Sequence, residues 1–74
     1  MSFVGKTFEV LTVGYMKRAG LKNKDMIRLL GISPPTWIRY KRNPSAIPMG
    51  VIRRYVQVLR LSDVETRAVV EASR

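Results

Sequence analysis

The chain has 74 residues, with 14 Lys and Arg against 5 Asp and Glu, a net charge of +9, and neither Cys nor His. That length makes one domain, 1–74, with a modest core. The missing residue types exclude a disulfide framework and a thiolate metal site, and remove the commonest general base and metal ligand.

The N-terminal stretch MSFVGKTFEV is broken by Gly5, Lys6, Thr7 and Glu9, which does not suit a signal peptide, and no apolar run reaches the length of a membrane span. The expectation is a soluble, cytoplasmic protein. From Phe3 to Arg18, Val4, Phe8, Leu11 and Tyr15 recur at helical spacing and favour a helix with one apolar stripe. The β-branched Val10, Thr12 and Val13, with Gly14, make a strand over 7–13 its rival. Lys17 and Arg18 complement a helix C-terminus and Gly20 supplies a stop.

Asn23 to Leu30 reads as a second helix. Asn23 is its expected N-cap and Asp25 lies in the first turn, with Met26, Ile27 and Leu30 inward and Lys22, Lys24 and Arg28 outward. Gly31 ends it, Ser33 caps the next helix, and Pro34-Pro35 fills a first turn that has no need of their missing donors. The third helix runs to Lys41 or Arg42, with Trp37 and Tyr40 on its inner face and Thr36, Ile38 and Arg39 on the other side. Asn43-Pro44 terminates it. A loop to Pro48 precedes a fourth helix to Leu59, with Met49, Ile52, Val56 and Leu59 inward and Arg53, Arg54 and Arg60 on the polar side. Ser62-Asp63-Val64-Glu65 has the form of a capping box and opens a last helix to about Ala72. Its inward positions are Val64, Ala68 and either Val69 or Ala72. The fold class is therefore all-α, a compact bundle of about five short helices.

Charge narrows the function. Between Lys17 and Arg60 stand eleven basic residues and one acid, Asp25. A small domain bears such self-repulsion most naturally for a polyanionic partner. A solubilising surface and attraction to anionic lipid are the alternatives. Scattered acids, with no Gly-rich phosphate loop after a strand, argue against an enzyme, and no cofactor or metal is expected.

The run Met26, Leu30, Gly31, Ile32, Ser33, Thr36, Trp37, Tyr40 and Asn43-Pro44-Ser45 resembles the helix-turn-helix domain of phage repressors and Cro proteins. The likeness covers 21–61 well and the first helix loosely. It implies a lambda-repressor-like bundle whose helix at about 34–42 enters the major groove of double-stranded DNA. The implied function is transcriptional regulation, as a Cro-like repressor in a bacterial cytoplasm. An antitoxin that regulates its own promoter and binds a protein partner is the alternative, as is a helical protein-interaction module. Three departures stand out. Ile27 replaces the family's usual Ala, Trp37 is bulkier than the usual Val or Ile, and Pro34-Pro35 occupies positions where the family often places base-touching polar residues.

With prolines there, direct readout falls to Thr36, Ile38 and Arg39. Arginine can bond a guanine edge at two points, and Thr or Ile can press on a thymine methyl. Lys22, Asn23, Lys24, Ser33, Lys41, Arg42 and Asn43 are the candidate phosphate contacts. The resemblance also implies a homodimer on a palindromic operator, formed in solution or only on DNA, with Val69 and Val70 as candidate interface residues.

Overall fold

The structure is a computed structural model that describes the backbone of residues 3–73 and the side chains of residues 7–73. Its elements are α1 (Phe3–Ala19), α2 (Asn23–Leu30), α3 (Pro34–Arg42), a 3₁₀ turn (Pro44–Ala46), α4 (Met49–Leu59) and α5 (Asp63–Ala72). No strand occurs among the described residues, so the expected all-α bundle is what forms and the strand over 7–13 does not. Val4 lies outside the described side chains.

Three helix ends are built alike. Gly20, Gly31 and Arg60 take φ of 70°, 68° and 52°. At each, the residue in the left-handed conformation bonds back to the carbonyl three before it: Gly20 to Lys17, Gly31 to Arg28, Arg60 to Gln57, all at 3.2 Å. The next residue, Leu21, Ile32 or Leu61, donates five back to Met16, Ile27 or Val56 at 2.9, 3.1 and 3.1 Å. This double bond pattern satisfies the orphan carbonyls of the last turn, and the aliphatic residue after it packs on the helix it leaves. Leu21, Ile32 and Leu61 all lie against the core. Glycine meets the positive φ freely, whereas Arg60 carries a Cβ into it.

The helix starts follow their sequence signals. Ser33 Oγ accepts from Thr36 N at 3.4 Å. The Ser62–Glu65 box closes in both directions, Glu65 N to Ser62 Oγ at 3.2 Å and Ser62 N to Glu65 Oε1 at 2.9 Å. At α2 the N-cap is Lys22, not Asn23, and Asp25 Oδ2 accepts from Lys22 N at 2.8 Å. Asn23 is thereby the first helical residue, and its side chain is released for another partner.

The core gathers around α1, which packs on α3, α4 and α5. Phe8, Met16, Met26, Leu30, Trp37, Tyr55, Leu59, Val69 and Ala72 form it. Phe8 and Tyr55 stack with ring centroids 5.5 Å apart. The buried Thr12 shares a 2.7 Å hydrogen bond with the Tyr55 hydroxyl, and burial pushes that phenol's pKa up to about 12. Arg18 grips Glu65 through both carboxylate oxygens, joining the end of α1 to the start of α5. That hydrogen-bonded pairing holds the Glu65 carboxyl at about 2.

Two inward assignments are corrected. Met49 and Val64 are 58% and 80% exposed, because each stands in the first turn of its helix. Helical side chains lean toward the N-terminus, so there they reach past the neighbouring helices. On α4 the expected Ile52 and Leu59 are buried and Val56 is half-buried against the core, while Tyr55 joins them as a buried residue the periodicity did not include. No described helix is long and apolar enough to cross a membrane.

Two substitutions test this packing. Thr12→Val leaves the Tyr55 hydroxyl buried without its partner and should cost about 1–3 kcal/mol in urea unfolding. Adding Tyr55→Phe should recover most of that loss. Arg60→Gly should raise stability by about 0.5–1 kcal/mol, since relief of the left-handed Cβ exceeds the entropy glycine gives up.

Candidate nucleic-acid interface

The interface is built on α3. Its inner face is Trp37 and Tyr40, both buried, followed by the half-buried Lys41. Helical geometry puts Pro35, Ile38, Arg39 and Arg42, spaced by three, four and seven, along the opposite face. All four are exposed, and Ile38 keeps 49% of its surface. Two of the three residues expected at base edges, Ile38 and Arg39, therefore stand side by side on one outward stripe. Arg42, expected at phosphate, extends that stripe by one turn. The Arg39 guanidinium lies 5.8 Å from the Tyr40 ring, which steadies it without neutralising it.

Thr36, the third, is half-buried, and its hydroxyl shares a 2.8 Å bond with the Ser33 hydroxyl. Both oxygens are thus partly committed to capping α3. Asn43 is the C-cap residue of α3, and its Oδ1 accepts from Ser45 Oγ at 2.7 Å.

The expected phosphate set divides in space. Lys22 and Lys24 are exposed at the start of α2. Asn23 is also exposed, but its side chain is engaged: Oδ1 accepts from Trp37 Nε1 at 2.9 Å and from Lys41 Nζ at 3.3 Å. Lys41 also sits 5.5 Å over the Trp37 ring. Asn23 and Lys41 are therefore structural first, tying the ends of α2 and α3 together. Lys22, Asn23 and Lys41 nonetheless line one concavity, together with Glu9, Thr12 and Lys17 of α1, none of which belongs to the expected set. Arg54, read from the sequence as a polar-side residue of the fourth helix, has a place the sequence did not indicate. Its Nη1 lies 3.8 Å from where a Cβ on Gly31 would sit, so it leans over the turn between α2 and α3. The packing of α2 on α4 brings it there, and no local sequence signal marks that contact.

Charge balance favours anions here. The two ion pairs among the described residues join Arg18 to Glu65 and Arg28 to Asp25, the latter at 3.6 Å with Arg28 largely exposed. Neither draws on α3, whose Arg39 and Arg42 have no carboxylate partner among those pairs. No cluster of metal-ligating side chains occurs among the described residues.

The candidate dimer residues fare differently. Val69 is fully buried in the core, so it has no surface to offer a second copy. Val70 is half-buried. The two adjacent valines point about 100° apart on α5, and the inward place went to Val69.

Comparison with protein-family models, with curated proteins and with solved structures finds no match for this chain.

The Asn23 contact is directly testable. Asn23→Ala removes the acceptor for the Trp37 N–H and should lower stability by about 1–3 kcal/mol, with a shift in tryptophan emission. Asn23→Asp keeps an acceptor and gives Lys41 a charged partner, so it should hold the native emission.

Proposed function

We propose that this chain is a helix-turn-helix protein that binds double-stranded DNA in a sequence-specific manner and regulates transcription. Its simplest form is a phage Cro-like repressor acting in a bacterial cytoplasm. The observation that carries the reading is the outward stripe of α3, with Ile38, Arg39 and Arg42 exposed on a helix locked from behind by Trp37 and Tyr40.

In this reading α3 lies in the major groove. Arg39 bonds a guanine edge, Ile38 meets a thymine methyl, and Thr36 reaches a base or phosphate at the helix start. Lys22 and Lys24 hold one phosphate strand at the start of α2. Arg42 and Asn43 meet the backbone at the far end of α3, and Arg54 adds charge beside the turn. One such unit reads few base pairs, so two copies on a palindromic site complete the recognition. With Val69 buried, Val70 is what remains of the expected interface.

A second reading, an autoregulating antitoxin that also binds a protein, draws on a separate observation. An open concavity of about 600 Å³ is lined by Leu21, Leu29, Val58 and Leu61 between Arg18 and Arg60. Co-purification of a partner through that groove distinguishes it.

Selection of duplexes from a random pool, followed by salt titration, tests the DNA reading. Affinity should fall steeply with salt as counterions are released. Arg39→Ala should cost about 1–3 kcal/mol of discrimination at one position. Lys24→Ala should weaken all duplexes alike and reduce the salt slope by about one. Equal effects of both variants on selected and random DNA would refute these roles.

A further inference from the structure

Between α1 and the corner formed by α2 and α3 lies an open cavity of about 440 Å³. That volume falls within the range of small-molecule sites, about 300–1,000 Å³. Its chemistry is divided. Val13 and Met16 of α1, with Leu21 after it, make an apolar floor, and Lys17, Lys22 and Lys41 stand around it against one carboxylate, Glu9.

The three lysines come from α1, from the residue capping α2 and from the last turn of α3. Separate segments thus bring three lysines to the lining of one hollow. None of the three takes part in an ion pair among the described residues. Their mutual repulsion is relieved by an anion seated among them. Asn23 adds to the polar side: its Oδ1 is spent on Trp37 and Lys41, which leaves its amide N–H groups to donate. Inorganic phosphate would use the lysines and leave the floor wet. A neutral apolar molecule would cover the floor and leave the lysines unanswered.

We infer that this cavity binds a small organic anion with an apolar body. Its acidic head lies among Lys17, Lys22 and Lys41, and its hydrocarbon part covers Val13, Met16 and Leu21. The inference concerns the free chain and a monomeric ligand, and it shares Lys22 with the proposed duplex contact without depending on it. The site has its own reporter. Lys41 bonds Asn23 and overlies Trp37, the single tryptophan of the chain, so a head group that draws Lys41 away changes the surroundings of that indole.

The test uses the full chain and three probes. Decanoate, kept well below its micelle-forming concentration, is compared with 1-decanol and with inorganic phosphate. Trp37 emission and the Trp37 indole N–H resonance are followed in each titration. Decanoate should give a saturable response, with both other probes at least about tenfold weaker. Lys17→Gln with Lys41→Gln should weaken decanoate about tenfold or more. Val13→Asp gives a second route: position 13 is 57% exposed, so the helix tolerates the change, and the new carboxylate both repels the head group and pairs with Lys17 one turn on. It should abolish the response. Arg53→Gln, exposed on α4 and outside the cavity, should leave it unchanged. Equal responses to decanoate and decanol, or to decanoate and phosphate, would overturn the inference. So would full decanoate affinity in both the double lysine variant and Val13→Asp. Duplex binding is measured separately, and its outcome leaves this one untouched.

Discussion

Trp37 is the largest buried side chain on α3, and its ring carries one hydrogen-bond donor. A buried indole stabilises a small domain chiefly through its area, by a few kcal/mol, but only if its N–H is satisfied. The acceptor is Asn23 Oδ1, at the opposite end of the helical pair. That single bond spans the corner between α2 and α3. The turn at Gly31 sets the change of direction, and the Trp37–Asn23 bond ties the two helices together across it. The outward stripe of α3 therefore lies on a helix that is held from behind by this bond and by the burial of Trp37 and Tyr40.

Much of this was legible because the chain marks its helix ends with chemistry that acts locally. Gly31, Ser33 and Pro34-Pro35 place the end of α2 and the start of α3 at the residues read from the sequence, and Ser62 with Glu65 does the same for α5. Each signal is a bond made within a few residues. What stayed hidden depends on partners far along the chain. Thr12 looked like a β-branched liability in a helix, yet it is bonded to Tyr55, 43 residues away. Periodicity on α4 offered Val56 for the core and had no means of showing that a Tyr hydroxyl would find a buried acceptor. Asn23 had the residue type of a cap, and Lys22 took that position because Asp25 could serve its backbone N–H.

The candidate site divides along the same line. The exposure of Ile38, Arg39 and Arg42 followed from the burial of Trp37 and Tyr40 on the other face, which spacing alone could indicate. The engagement of Asn23 with Trp37 and Lys41, and the reach of Arg54 to Gly31, required the packing of separate helices. The choice between Val69 and Val70 rested on the rotation of α5 against α1, and a run of two valines carries no information about that angle.

The placement of the few acids has a further consequence. Asp63, Glu65 and Glu71 all belong to α5, while the segment from Lys17 to Arg60 holds a single acid. α5 and α3 each pack on α1. The charge is therefore unevenly spread along the chain. Were the proposed duplex the partner, such an asymmetry would exert a torque on the approaching molecule and bias its orientation before contact. Added electrolyte would blunt that alignment along with the attraction itself.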